Sequence, residues 1–338
     1  MVRTGQRGVI GVLLTVALVL SCAGLSRVGG ATTLVVTGYI EQGASPAMIQ
    51  RSAGALNTVG IDGINLVSAG NRTSTPDASM LALLSASHVE GLRGELLVGN
   101  FDNTINDFST KIAQALLHSV NNMTSVARQL SQLVQGEKWD GITIDLESLS
   151  ASDSAGLVAF MTQLRSALPT QCSLSIDVQA STTLAGYEAS GYDLARLAQV
   201  ADRVVLMAYD QHGPWSGPGP IGALDWQRRA LKVLLTQVSP SKVDLGVAGY
   251  GYTWPKGSKL HEGNSISDSL ARRLVQRNHV RAHWVSSSGE WTARLKNGTE
   301  LWWADARSYA LRVALATSMQ VHGLALWQLA SADPLKRQ

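Results

Sequence analysis

The chain has 338 residues, 45% hydrophobic and 16% charged, with 32 Gly, 9 Pro and a formal net charge of +3. That balance excludes a disordered, collagen-like or polyelectrolyte chain, and the length suffices for one large domain or two ordinary ones. Lys and Arg are not gathered into a basic run, so neither nucleic acid nor an anionic membrane surface is an expected partner.

The first feature in chain order is a leader. Arg3 and Arg7 precede an uncharged apolar run over 9–20, and small residues follow, the pattern of a secretory signal. The run holds 12 residues, whereas a bilayer-crossing helix needs about 20, so no transmembrane span is expected. Val19-Leu20-Ser21-Cys22 reads as an imperfect lipobox in which Cys22 would carry a lipid anchor. Ser21-Cys22-Ala23 or Gly29-Gly30-Ala31 would instead serve an ordinary signal peptidase. The signal peptide is placed at 1–31, or ends at Cys22 on the lipoprotein reading; 32–338 is the exported domain, and the protein is expected outside the cell or in its envelope. Removing 1–31 takes Arg3, Arg7 and Arg27 and no acid, which leaves 25 basic against 25 acidic residues. Cys22 and Cys172 are the only cysteines, so no disulfide framework is expected, and Cys172 reads as a small buried hydrophobe.

Beyond the leader, short apolar runs rich in β-branched residues alternate with segments of helical period, which indicates α/β architecture. The predicted strands are 34–40, 63–68, 95–100, 141–147, 173–178, 203–209, 243–248 and 323–327. Between the fourth and fifth, Leu157, Phe160, Met161, Leu164 and Leu168 make one apolar helical face. Segments 108–120, 123–134 and 226–238 read likewise as core-facing helices. Eight strands with intervening helices fit a closed (β/α)8 TIM barrel, which takes roughly 250 residues and more with insertions. A doubly wound open sheet is the alternative, but no Gly-rich phosphate fingerprint follows the first strand to favour it. The interval 253–302 is too long for a simple connection. Within it 290–295 and 299–303 flank Lys296-Asn297-Gly298, a hairpin turn signal, so a small β insertion over the barrel mouth is predicted.

The fourth predicted strand carries the chemistry: Trp139-Asp140-Gly141-Ile142-Thr143-Ile144-Asp145-Leu146-Glu147. Side chains alternate along a strand, so Ile142, Ile144 and Leu146 face the covering helices while Thr143, Asp145 and Glu147 face inward. Two carboxyls buried on one strand face, with α-carbons about 6–7 Å apart, are costly unless they share a proton or a substrate. Their repulsion raises one pKa and keeps a general acid protonated near neutral pH. Glu147 lies nearer the C-terminal end of its strand, where active sites of this fold sit, and is the predicted acid. The seven histidines show no metal-ligand spacing, and neither a metal nor a cofactor is expected.

The stretch resembles the signature of glycoside hydrolase family 18, Asp-Gly-x-Asp-x-Asp-x-Glu, at Asp140, Gly141, Asp145 and Glu147. Leu206-Met207-Ala208-Tyr209-Asp210 is similar to that family's sixth-strand motif, and Leu326-Trp327 to the end of its eighth strand. Gly217-Pro218-Gly219-Pro220, Leu224-Asp225-Trp226, 246–254 and Trp303-Ala304-Asp305-Ala306-Arg307-Ser308 resemble its branch of spore-cortex-lytic N-acetylglucosaminidases. The resemblance runs over 34–334. It implies retaining, substrate-assisted hydrolysis of β-1,4 N-acetylglucosaminyl linkages in peptidoglycan, spore cortex included. A chitinase acting on chitin or its oligosaccharides is the alternative enzyme, and a non-catalytic glycan-binding barrel is the alternative of another class.

In the implied scheme Glu147 protonates the glycosidic oxygen while the substrate's own 2-acetamido carbonyl attacks the anomeric carbon. Asp145 orients the acetamido N–H and stabilises the charged intermediate, Tyr209 donates to the acetamido oxygen, and Trp327 forms the floor beneath the sugar. Asp210, His212 and Thr143 are further candidates for sugar contact, with Asp140 and Gly141 as structural members of the motif. Tyr209 and Trp327 read otherwise as core aromatics, Asp210 as a loop support, and Trp302 and Trp303 as either a glycan platform or the closure of the hairpin. Thr143 departs from the motif, which has Asp there. That Asp accepts a hydrogen bond from its neighbour when the neighbour turns away from the acid, so a more static Asp145 and a slower reaction are implied. The segment from Ile64 to Ser68 also lacks aromatics that the branch carries. A monomer is expected.

Overall fold

The computed structural model describes Met1 and residues 34–67, 69–257 and 262–337. The predicted signal peptide with Cys22, and Ser68 at the end of the predicted second strand, lie outside the described residues. Eight parallel strands form a closed barrel: β1 Val35–Glu41, β2 Thr58–Asn65, β3 Arg93–Gly99, β4 Gly141–Asp145, β5 Ser173–Gln179, β6 Arg203–Met207, β7 Val243–Ala248 and β8 Gly323–Trp327. Each pairs with the next in sequence, and β8 closes onto β1 from Val35↔Gly323 to Gly38↔Leu326. Closure removes the open-sheet alternative. Among the described residues no helix is long and apolar enough to cross a membrane.

Alternation along the strands sorts the side chains as the sequence predicts. Ile142, Ile144 and Leu146 point outward and are buried with Leu157, Phe160, Met161 and Leu164 of the helix Ser154–Ala167. Ser150 and Asp153 form a capping box just ahead of that helix. Cys172 is buried in the same core. The predicted helices 108–120 and 123–134 are Thr110–Leu117 and Val120–Glu137, opened by Ser109 and Ser119, whose side chains accept from Ile112 N and Asn122 N. Phe108 belongs to neither helix: it pairs with Phe101 in a short antiparallel ladder. The helix predicted at 226–238 is Leu224–Leu234.

Inward positions stack in layers. At the N-terminal end Arg203 Nη2 lies 2.6 Å from Glu95, its Nε 3.5 Å from Asp244, and His322 Nδ1 2.7 Å from Asp244. Above them pack Tyr39, Leu97, Val205 and Ala325. Gly60 makes room for Tyr39, since a β-carbon there would come within 2.3 Å of the tyrosine ring. The next inward positions, at the C-terminal end, hold carboxyls.

Two expectations need correction. The second strand runs over Thr58–Asn65 rather than 63–68, because Gly60, Asp62 and Gly63 are all accommodated within it. Its register to β3 passes from Asp62↔Leu97 to Ile64↔Val98, a bulge that leaves Gly63 unpaired. The insertion is also more than a β excursion. Strands Asn264–Ile266, Gly251–Trp254, Glu300–Trp303, Glu290–Arg294 and His283–Val285 form one antiparallel sheet in that order, with the helix Asp268–Arg277 beside it. The helix is hard to read from sequence because only Asp268 and Ala271 of its ten residues are buried. The hairpin around Lys296-Asn297-Gly298 is as predicted, and Trp303 closes it, buried and stacked on Trp291 at 6.2 Å.

Arg312 ties the insertion to the barrel. Only 2% exposed, it donates to Gln227 Oε1 at 3.1 Å, to Glu290 Oε1 at 3.0 Å and to the carbonyls of Gly222, Ser288, Gly289 and Ser308. Glu290 in turn accepts from the backbone N–H groups of Ile221 and Gly222 at 2.7 and 2.8 Å. Removing one partner of such a pair strands a buried charge. Arg312→Ala is expected to lower stability by about 3–5 kcal/mol, measured as the shift of the urea midpoint, while a loss below about 1 kcal/mol would mean that the network contributes little.

Candidate active site

The layered interior opens at the C-terminal end of the barrel into a cleft of about 460 Å³. Its walls carry six acids, Glu41, Asp62, Asp145, Glu147, Asp177 and Asp210, and among the described residues no Lys, Arg or His lines it. Phe101, Phe108, Tyr209 and Trp327 supply the aromatic surface. Acids and aromatics without a base suit an uncharged, ring-shaped ligand better than an anion.

Glu147 sits just past the end of β4, where three elements fix it. The buried side chain of Asn100 clamps its backbone, accepting from Glu147 N at 2.9 Å and donating to Glu147 O at 3.0 Å. Tyr192 Oη donates to the carbonyl of Leu146 at 3.2 Å. Gln179, at the end of β5, donates Nε2 to Glu147 Oε2 at 2.5 Å. Burial raises the Glu147 pKa to about 7; the Gln179 amide pulls the other way, and the charges of Asp210 and Asp107 add to the rise. A carboxyl balanced near neutrality can both give and take a proton.

Asp145, two residues earlier on the same strand face, is 7% exposed. Its Oδ1 is buried with no hydrogen-bond partner among the described residues. Burial first, then the charges of Glu147 and Asp177, hold its pKa well above the usual carboxylate range. Asp62, paired in register with Glu41 across β1 and β2, is raised to about 6 by burial and by that neighbour.

The remaining predicted residues separate into those that reach the cleft and those that do not. Tyr209 and Trp327 line it. The Tyr209 phenol is held far above its ordinary pKa by burial and by Asp177 and Asp145, so it stays a donor. Trp327 packs against Tyr39 with ring centroids 5.8 Å apart. Asp210 also lines the cleft, at a left-handed φ of 58°, and its Oδ1 accepts from Tyr250 Oη and, at 3.0 Å, from Tyr252 Oη. It is therefore at once a wall of the cleft and the contact between barrel and insertion. Asp140 and Gly141 are structural. Asp140 Oδ2 accepts from Gly94 N at 2.8 Å and meets His88 Nε2 at 2.9 Å, and a β-carbon at Gly141 would lie 2.0 Å from Ser173 Oγ.

Two candidates for sugar contact are corrected. Thr143 is 1% exposed and lies one inward position below Asp145, beneath the cleft rather than on its wall. His212 is turned away: its Nδ1 meets the carbonyl of Pro220 at 3.0 Å and its ring packs under Gly219. Trp303 belongs to the insertion's own packing, Trp302 packs where the insertion meets Ile221 and Ala248 of the barrel, and neither lines the cleft.

Sequence reasoning missed Asp177, Asp62, Asn100 and Gln179. Asp177 was within reach, since the alternation that turns Asp145 inward on β4 turns Ser175 and Asp177 inward on β5. Asn100 and Gln179 carry no comparable signal, because their partner Glu147 lies 47 and 32 residues away.

The raised Glu147 pKa fixes the sign of a stability effect. Its folded value of about 7 exceeds the ordinary 4.5, so its contribution is fully present below pH 4.5 and is lost as pH rises through 7. Glu147→Gln is expected to be more stable than wild type at pH 8 by on the order of 2 kcal/mol, with the difference gone at pH 4. Urea denaturation of both proteins at the two pH values measures this; an equal difference at both would contradict it.

Comparison with known proteins gives three kinds of match. Residues 95–333 match the family described as glycosyl hydrolases family 18. The chain is 28% identical over 234 residues to the putative sporulation-specific glycosylase YdhD of Bacillus subtilis (strain 168), covering 67% of this chain and 55% of that protein. It is 25% identical over 252 residues to the cortical fragment-lytic enzyme of Bacillus anthracis, covering 71% and 57%. The chain thus spans a little over half the length of these two curated relatives. Among solved structures, the Bacillus cereus spore cortex-lytic enzyme SleL superposes with a TM-score of 0.81 at 18% identity, covering 90% of this chain and 72% of that one. A class V chitinase from Pseudomonas fluorescens Pf-5 superposes with a TM-score of 0.81 at 22% identity, covering 89% and 96%. These two likenesses establish a shared fold.

Proposed function

We propose, from the premise that this chain belongs to glycosyl hydrolase family 18, that it hydrolyses β-1,4 N-acetylglucosaminyl linkages with retention, using the substrate's acetamido group as nucleophile. The observation that carries the proposal is Glu147: a half-buried acid with a pKa of about 7 just past the C-terminal end of a barrel strand, beside Asp145, whose Oδ1 has no partner among the described residues. Protonated Glu147 donates to the glycosidic oxygen as the bond to the leaving sugar breaks. The acetamido carbonyl oxygen closes on the anomeric carbon and forms a cationic five-membered ring. Ionised Asp145 accepts the acetamido N–H and faces that charge, while Tyr209 donates to the acetamido oxygen. Trp327 offers an apolar face beneath the sugar. Glu147, now ionised, takes a proton from the water that opens the ring, and the cycle closes.

Peptidoglycan, spore cortex included, is the favoured polymer, because the curated relatives are a sporulation-specific glycosylase and a cortical fragment-lytic enzyme. Chitin is the second reading, supported by a chitinase whose chain is covered to 96%. Both polymers lie outside the cytoplasmic membrane, in keeping with a signal peptide at 1–31.

Turnover tests the proposal. The protein without residues 1–31 is offered purified peptidoglycan and, separately, chitin oligosaccharides, and the products are identified by mass. One polymer is cut, Glu147→Gln loses at least about a thousandfold in rate, and the wild-type rate falls as pH rises through about 7, because the donor form of Glu147 disappears. If neither polymer is cut while wild type and variant bind glycan equally, the barrel is a binding module.

A further inference from the structure

We propose that Asp177 is a positioning residue of this site: it shares one proton with Asp145 across the seam between β4 and β5, and so occupies the role of the carboxyl absent at Thr143. The inference rests on the proposed roles of Glu147 and Asp145.

The geometry begins with register. β4 and β5 pair in parallel through Thr143↔Ser175 and Ile144↔Ile176, which makes Asp145 and Asp177 the next neighbours, on strands about 5 Å apart. Both are buried, at 7% and 3% exposure, and both line the cleft. Among the described residues Asp145 Oδ1 has no hydrogen-bond partner, whereas Asp177 Oδ1 accepts from Tyr39 Oη at 3.4 Å. Tyr39 is also hydrogen-bonded to Thr143. One phenol therefore joins the position the motif leaves without a carboxyl to the position on the next strand that has one. A phenol carries a single proton, so while it donates to Asp177 the Thr143 hydroxyl is its donor.

Charge then decides the protonation. Asp177 faces Asp62 from β2, Glu147 beyond β4 and Asp244 from β7, together with Tyr39, Tyr192 and Tyr209. Among the described residues no cation lines the cleft to offset them: Arg203, the guanidinium at the base of the barrel, is engaged by Glu95 and Asp244. Two ionised carboxylates side by side in such surroundings repel strongly, and the pair keeps one proton between them. With that proton on Asp177 and aimed at Asp145, Asp145 stays anionic toward the substrate and fixed in place. The proton remains on the pair throughout turnover, so the step is charge-balanced.

Three variants test this on the glycan that the wild type cuts. Asp177→Ala is expected to lower kcat by about 10- to 100-fold with KM within about threefold. Asp177→Asn, whose amide mimics the protonated carboxyl, should stay within about fivefold of wild type, and Thr143→Asp added to Asp177→Ala should recover at least about tenfold. Wild-type kcat in Asp177→Ala overturns the proposal. So does an Asn variant as slow as Ala, or a double variant that recovers nothing, since a purely structural role could not be refilled from the neighbouring strand. If Asp177→Ala does not fold, Thr143→Asp alone decides: a carboxyl added beside a filled position should cost at least about tenfold in kcat, and an unchanged or faster enzyme overturns the proposal. An inactive wild type would sink the proposed function itself, whereas an active wild type with Glu147→Gln inactive and Asp177→Ala unaffected would sink only this inference.

Discussion

Barrel closure takes most inward side chains of the strands out of water, Asp145 and Asp177 among them, and the site depends on that constraint. Carboxyls on the inner face must be paired with cations or must keep protons. At the base of the barrel the first solution holds: Glu95 and Asp244 share Arg203, and His322 attends Asp244. At the mouth no cation lines the cleft among the described residues, and Asp62, Asp145, Glu147 and Asp177 all lie above their ordinary pKa. The same fold thus makes a stabilising ion cluster at one end and proton-holding chemistry at the other, which is how barrels of this kind divide stability from activity.

Keeping such a mouth in shape is the work of groups that touch no substrate in the proposed scheme. Asn100 clamps the Glu147 backbone on both sides, and Gln179 aims its carboxyl. Among the described residues, Tyr250 and Tyr252 join the insertion side to the cleft wall, both donating to Asp210. The insertion's own position is set by Arg312 and Glu290, neither of which lines the cleft. Cleft geometry on that side therefore follows from a buried salt bridge remote from the chemistry, and a weakened anchor should loosen Asp210 before it unfolds the barrel.

How much of this was legible in the sequence depends on the range of the signal. Alternation within a single strand placed Asp145 and Glu147 inward and Ile142, Ile144 and Leu146 outward, and spacing gave seven of the eight strands nearly to the residue. The second strand was placed too late, at 63–68, because the apolar run there is the clearer signal, whereas the barrel starts it at Thr58 and uses Gly60 as space for Tyr39 and Gly63 as a bulge. Thr143 and His212 were expected to meet sugar because they lie in or beside the right motifs. Burial beneath the cleft and a contact with Pro220 put them elsewhere. Asp177 followed from the rule that found Asp145, but a lone acid on a strand draws notice only once its neighbour is known.

The account turns on the acetamido group acting as nucleophile, with Asp145 and Tyr209 arranged to hold it. The most direct test replaces the acetyl group at the cleaved sugar of an aryl glycoside with difluoroacetyl and trifluoroacetyl groups, and measures kcat/KM for the series. Fluorine withdraws electrons from the carbonyl oxygen without much change in shape. If that oxygen attacks the anomeric carbon, the rate constant must fall stepwise by orders of magnitude along the series; equal rates for all three substrates would mean that the nucleophile is something else.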